Sequence, residues 1–166
     1  MRKSVSLLLI CVIAAAFFSG FIYWKFRMAP GINFRELRII TESGKETSLA
    51  EILPAMQMST IVVFGQSWCH DCHRELPRLQ AMRLKHFPQV PVIVLTDEDQ
   101  TTLQKWVSQT NLPLRYFRTS ETFEALGVYS YPTTYILDSN YTSRYAKVGN
   151  VAWEQDPVKK LLTEKN

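Results

Sequence analysis

Two cysteines three positions apart, Cys69 and Cys72, are the residues whose types and spacing point most directly to chemistry. At the start of a helix, this spacing puts the two thiols one turn apart, within disulfide reach. The unpaired N–H groups and the positive dipole end at a helix N-terminus stabilise a thiolate. We therefore expect Cys69 to attack a substrate disulfide and Cys72 to resolve the mixed disulfide.

The two residues between the cysteines have opposing effects on this chemistry. A cationic His70 would stabilise the Cys69 thiolate and make the protein more oxidising. Asp71 would disfavour the thiolate and oppose that effect. The sequence therefore leaves the direction of electron flow open.

The same residues permit two other functions. Cys69, Cys72 and His73 match CxxCH, the attachment pattern of c-type haem. The two cysteines with His73 or His70 could also bind copper or zinc. The strands expected around the pair disfavour haem attachment, because helices normally surround such a haem.

The pair lies between a predicted strand and a predicted helix. The run Thr60–Phe64 is β-branched and aromatic throughout, which is typical of a central strand buried on both faces. A helix is expected from Cys69 to about His86. Strands alternating with helices indicate an α/β fold with a mixed sheet. Further strands are expected at 34–41, 90–95, 114–117, 133–137 and 141–148, and further helices at 49–53, 97–110, 121–126 and 153–163.

The N-terminal run Val5–Trp24 contains 20 residues without a charge, which is about the length that a helix needs to cross a bilayer. A signal peptide cleaved after the small residues 14–16 is the alternative, but the apolar run continues past them. Cys11 lies inside this run and is expected to be inert. We divide the chain into a membrane anchor at 1–27, a linker at 28–33 and a folded domain at 34–166.

The charge distribution disfavours nucleic-acid binding. Four of the 19 basic residues flank the apolar run, and the other 15 match the 15 acidic residues in number. The domain is therefore formally neutral and has no basic stripe interleaved with aromatic residues.

Two motifs resemble those of the thioredoxin superfamily. The sequence from Trp68 to Cys72 resembles the WCxxC active site, and Tyr131-Pro132-Thr133 resembles the cis-proline loop opposite it. The membrane-anchored TlpA/ResA-like branch is the most similar, because of the N-terminal anchor, the extra N-terminal strands and the insertion before Tyr131. The peroxiredoxin pattern fits less well, since it has a threonine where this chain has Gln66.

The resemblance implies a thioredoxin-like fold and roles for four further residues. Glu75 would exchange protons with the cysteines, while Trp68, Tyr131 and a cis Pro132 would shape the substrate groove. No cofactor beyond the cysteine pair is expected. The resemblance also implies extracytoplasmic exchange with protein thiols or disulfides, of which apocytochrome c is one candidate. A membrane thiol donor or oxidant would exchange electrons with the pair.

Overall fold

The computed structural model describes residues 2–53 and 59–163, with side chains for all of these except 2–10 and 25. The helices are α1 (Arg2–Arg27), α2 (Leu49–Ile52), α3 (His70–His86), α4 (Gln100–Thr110) and α5 (Asp156–Thr163). The strands are β1 (Arg38–Ile40), β2 (Glu46–Ser48), β3 (Thr60–Phe64), β4 (Val92–Thr96), β5 (Arg115–Thr119), β6 (Thr133–Leu137) and β7 (Ser143–Val148).

The strands form one sheet in the order β2-β1-β5-β4-β3-β6-β7. Strands β3, β4 and β5 run parallel, and the remaining pairings are antiparallel. The prediction of a mixed α/β sheet with added N-terminal strands is therefore confirmed, with β1 and β2 joined to the sheet through β5. Between β4 and β6 the chain adds α4 and β5.

Strand β3 is central because both of its faces are covered. All five of its residues are buried. Ile61 and Val63 pack into the core that contains Cys72, while Val62 and Phe64 pack into the opposite core. This alternation follows from the two-residue period of a strand. The loop after β3, which leads into Cys69, therefore starts from a fixed position.

Two predicted elements differ from the structure. The strand expected at 34–41 is limited to β1, because the residues before it form a turn closed by the Glu36 N–H on the Asn33 carbonyl, 3.3 Å. The helix expected at 121–126 is a series of turns instead. There the Phe123 N–H donates to the Asp97 carboxylate, 2.6 Å, and Gly127 has a positive φ of 77°.

The end of α1 and the residues after it contact β6 and the loop that precedes it. The Ser130 hydroxyl donates to the Phe26 carbonyl, 2.8 Å, and the Tyr135 hydroxyl donates to the Pro30 carbonyl, 2.7 Å. The rings of Phe26 and Tyr129 meet edge to face at 5.8 Å. Residues 26–30 are thus packed against the domain.

The predicted membrane segment, residues 5–24, falls partly outside the residues whose side chains are described. Among the described residues, no helix combines the length and the apolar character needed to cross a membrane.

Candidate active site

The cysteine pair lies at the N-terminus of α3, as predicted. Cys69 is the N-cap residue, and its Sγ accepts the Cys72 N–H at 3.1 Å. The two cysteines form a disulfide with a Cα–Cα distance of 5.2 Å. Cys69 is 6% exposed and Cys72 is 0% exposed. Because an attacking thiol must reach a substrate, this difference suits Cys69 as nucleophile and Cys72 as resolving thiol.

Gly65 leaves the space that Cys72 occupies. A Cβ atom at Gly65 would lie 3.2 Å from the Cys72 Sγ and 3.3 Å from the ring of Trp106. Trp106 is fully buried, and its ring meets those of His73 and Tyr116 edge to face. Gly65, directly after β3, therefore packs closely against both the resolving cysteine and the aromatic core.

We predict that Gly65→Ala destabilises the protein by about 1–3 kcal/mol, the usual range for an overpacked core. The added methyl group must displace either the Cys72 Sγ or the fully buried Trp106. Urea denaturation would measure the loss in free energy of unfolding. Gly31→Ala is the matched control for adding a methyl group, because a Cβ at Gly31 meets nothing within 4 Å and its φ is not in the left-handed region. Equal stability of Gly65→Ala and the parent would contradict the close packing.

The predicted cis-proline loop lies beside the pair. The Tyr131–Pro132 bond is cis, as expected, and the Pro132 carbonyl accepts the Gly149 N–H at 2.7 Å. A surface groove of about 430 Å³ joins the cysteine segment to this loop. Its lining residues are Trp68, Cys69, His70, Asp71, Tyr129, Ser130 and Tyr131.

Trp68 and Tyr131 form an aromatic corner of this groove. Their rings meet edge to face at 5.7 Å, and Trp68 is 70% exposed. Burial raises the pKa of Tyr131, and the nearby charges of Asp97 and Glu124 raise it further, against a lowering by its hydrogen bond with Gln66. The Tyr131 hydroxyl therefore stays protonated at neutral pH.

Glu75 is buried one turn after Cys72, at 1% exposure. One carboxylate oxygen, Oε1, accepts the Val151 N–H at 3.0 Å and the Trp153 Nε1–H at 2.7 Å. The other oxygen, Oε2, lies 3.5 Å from the Arg78 guanidinium. Glu75 is therefore not a solvated helix charge: two buried N–H groups hold its Oε1, and the partly exposed Arg78 pairs with its Oε2.

A polar network under the groove was not predicted. Gln66 is buried and connects the ends of β3 and β4. Its side-chain N–H donates to Asp97, and its side-chain carbonyl oxygen accepts the Thr96 hydroxyl at 2.9 Å. Asp97 also holds the Phe123 N–H. Since the carboxyl ends of parallel strands share one edge of a sheet, the polar run after β4 was the signal that could have indicated this network.

The charges beside the cysteines are exposed. Arg74 and Asp71 are 3.9 Å apart in an exposed pair, which stabilises a protein by at most about 1 kcal/mol. The His73 Nε2 lies 2.6 Å from the Ser67 carbonyl. Within residues 2–53 and 59–163, no cluster of three His, Cys, Asp or Glu side chains is placed to hold a metal ion.

A disulfide at a helix start, beside a cis-proline loop and on this mixed sheet, defines a thioredoxin-fold protein with a dithiol–disulfide centre. The model of the AhpC/TSA family matches residues 28–146, and the chain belongs to that family.

Known proteins support the predicted resemblance to the TlpA/ResA-like branch. The chain is 24% identical over 144 residues to the thiol-disulfide oxidoreductase ResA of Geobacillus thermodenitrificans, covering 84% of this chain and 81% of that protein. StoA from Bacillus subtilis has a similar fold, with TM-score 0.55 and 21% identity over 75% of this chain and 93% of StoA. A thiol:disulfide interchange protein of Chlorobium tepidum has a TM-score of 0.55 and 17% identity, over 81% of this chain and 97% of that protein.

Proposed function

We propose that this chain is a protein thiol–disulfide oxidoreductase in which Cys69 and Cys72 cycle between dithiol and disulfide. The observation that carries the proposal is the position of the pair. The cysteines begin α3 and line a groove whose opposite wall leads to cis Pro132. A relative named a thiol-disulfide oxidoreductase covers most of the chain. The cysteine pair itself carries the electrons, without a further cofactor.

In the reductive direction, the Cys69 thiolate attacks one sulfur of a substrate disulfide. A new S–S bond forms between protein and substrate, and the other substrate sulfur leaves as a thiolate that takes a proton. Cys72 then loses its proton and attacks the Cys69 sulfur, which releases the second substrate thiol. The substrate gains two electrons and two protons, and the Cys69–Cys72 disulfide reforms. The opposite sequence oxidises a substrate dithiol.

Glu75 is the proposed proton acceptor for Cys72. It is buried one helical turn away, and two N–H donors hold its Oε1, so Oε2 is the site where the proton would bind. Trp68, Tyr131 and Pro132 are proposed to hold an extended substrate segment in the groove. Contacts to the substrate backbone beside the cis-proline loop would allow substrates with many different sequences to bind.

We also propose a membrane-anchored protein whose domain lies on the extracytoplasmic side. The support is the run of 20 uncharged residues from Val5 to Trp24, together with the cysteine chemistry, which suits an oxidising compartment. A membrane thiol donor or oxidant would exchange electrons with the pair. Apocytochrome c is a proposed substrate.

The haem and metal alternatives gain no support from the site. Haem attachment would require both cysteines in thioether bonds and the His73 ring as an axial ligand. Here the cysteines are bonded to each other, and the His73 ring is directed at the Ser67 carbonyl of its own loop.

We propose that the pair works in the reductive direction, which its reduction potential would test. The full chain in detergent, carrying Cys11→Ser to remove the third cysteine, would be equilibrated with defined ratios of reduced and oxidised glutathione. We predict a potential below roughly −230 mV, toward the thioredoxin end of the scale, as a reductase requires. A value near roughly −120 mV, as in strong oxidants, would instead define a disulfide donor. Absence of a reversible two-electron couple would contradict the proposed function.

A further inference from the structure

The turn that leads into the cysteine pair is held in place by hydrogen bonds to one of its residues, Ser67. The Cys69 N–H donates to the Gln66 carbonyl at 3.0 Å, which closes a four-residue turn with Ser67 and Trp68 at its centre. Every polar group of Ser67 has a partner outside this turn. The positions of Trp68 and Cys69 therefore depend on what holds Ser67.

The partner of two of these groups is Glu98, in the loop after β4. The Ser67 N–H donates to Glu98 Oε2 and the Ser67 hydroxyl donates to Glu98 Oε1, both at 2.6 Å. One carboxylate thus binds the main chain and the side chain of the same residue. Hydrogen bonds to a charged acceptor are stronger than those between neutral groups.

The third group of Ser67 is bound from the helix. Its carbonyl can only accept a hydrogen bond, so His73 Nε2, 2.6 Å away, carries the hydrogen. His73 directly follows Cys72, and its ring packs on buried Trp106. Ser67 therefore connects the loop after β4 to the first turn of α3.

Glu98 is itself held in place. The Arg118 guanidinium donates to its carbonyl at 2.6 Å, and its own N–H donates to the Thr96 hydroxyl oxygen at 3.3 Å. Both anchors belong to strands at the centre of the sheet, β5 and β4. The carboxylate is thus positioned by rigid elements, which is what a precise supporting residue requires.

We propose that Glu98 is a positioning residue for the redox centre, acting through Ser67, and that its charge favours the disulfide form. This inference rests on the proposed thiol–disulfide exchange. By holding Ser67, Glu98 sets where Cys69 presents its sulfur to the groove. Glu98 is hydrogen-bonded to Ser67, which lies two residues before Cys69. Its negative charge opposes formation of a thiolate at the cysteine pair and so disfavours the dithiol state.

The experiment compares Glu98→Gln, Ser67→Ala and the double variant in the full chain carrying Cys11→Ser. Asp99→Asn is the matched control: it removes a neighbouring acidic charge while keeping a good helix N-cap. The Asp99 carboxylate accepts the Thr102 N–H and hydroxyl, within its own helix. Two quantities are measured, the rate of disulfide reduction by dithiothreitol and the equilibrium with glutathione.

We expect Glu98→Gln to slow reduction about tenfold, because a small misplacement of a reacting atom is costly. The glutathione equilibrium should shift toward the dithiol form, which a purely structural role would not produce. Ser67→Ala, which keeps the N–H contact, should slow reduction about threefold. The double variant should be no slower than Glu98→Gln alone, since both substitutions interrupt one contact.

Three outcomes would overturn the inference. The first is a reduction rate and a glutathione equilibrium in Glu98→Gln that match those of the parent. The second is a change in Asp99→Asn as large as that in Glu98→Gln. The third is a loss of rate in the double variant equal to the two single losses combined. Ser67→Ala, which removes only a hydroxyl group, keeps the test decisive if Glu98→Gln does not fold. A parent protein that does not exchange with glutathione at all would instead contradict the proposed function.

Discussion

Replacing Cys72 by serine should trap the protein as a mixed disulfide with its substrate and lower turnover by about a thousandfold. Cys69 would still attack, because its sulfur borders the groove and caps α3. The second attack would fail, because a serine hydroxyl is not ionised near neutral pH and cannot displace a sulfur. Non-reducing electrophoresis after mixing with a disulfide-containing protein would reveal the adduct, and adding dithiothreitol should release it.

Two controls make the assignment of roles specific. Cys69→Ser, made together with Cys11→Ser to remove the exposed free thiol, should form no adduct, because fully buried Cys72 cannot reach a protein substrate. Cys11→Ser should exchange disulfides at the parent's rate, because Cys11 lies on α1 and takes no part in the Cys69–Cys72 disulfide. An adduct that forms with Cys69→Ser and not with Cys72→Ser would reverse the two roles.

The parts of the site that were predictable from the sequence are those determined locally. The hydrophobic run of β3, the cysteines at a helix start and the Tyr131-Pro132 pair each depend on neighbouring residues. Spacing and residue type were therefore sufficient for the strand and the cysteine pair, whereas the cis Tyr131–Pro132 bond was implied by the resemblance to the thioredoxin superfamily. The strand expected at 133–137 is also present as β6, and all five of its residues are buried.

The unpredicted parts depend on contacts between distant residues. Ser67 and Glu98 are 31 positions apart and meet because β3 and β4 are parallel neighbours whose carboxyl ends share one edge. The helix expected at 121–126 was wrong for a related reason. Asp97 binds the Phe123 N–H, so that segment follows the loop after β4 rather than its own helical propensity.

The environment of Glu75 was only half predictable. The family resemblance implied a carboxylate near the thiol, but its hydrogen bonds come from Val151 and Trp153, 76 and 78 positions along the chain. Those contacts give Glu75 a structural role as well as the proposed chemical one. Two substitutions separate these roles. Glu75→Ala removes both the hydrogen-bond acceptor and the proton acceptor, whereas Glu75→Gln removes the proton acceptor alone.

Glu75→Ala should reduce the free energy of unfolding by about 3–5 kcal/mol. It would leave the Val151 N–H and the Trp153 Nε1–H buried without an acceptor, and each such group costs about 1–3 kcal/mol. Glu75→Gln should cost far less, because its amide oxygen can accept both N–H groups. Urea denaturation of the two variants and the parent would measure the difference. Equal losses in both variants would contradict the role of the two hydrogen bonds.

The glutamine variant then isolates the proton transfer. Its side chain fills the same space but cannot take a proton from Cys72, so resolution of the mixed disulfide should slow about a hundredfold, the lower range for loss of a general base. Attack by Cys69 should keep the parent's rate, because that thiol borders the groove and is stabilised by the start of α3. Stopped-flow mixing with a substrate disulfide would separate the two steps. The mixed disulfide should accumulate in Glu75→Gln and, as the pH rises, resolve faster, because hydroxide then deprotonates Cys72 directly. A parent-like resolution rate in the folded Glu75→Gln variant would leave Glu75 with the structural role alone.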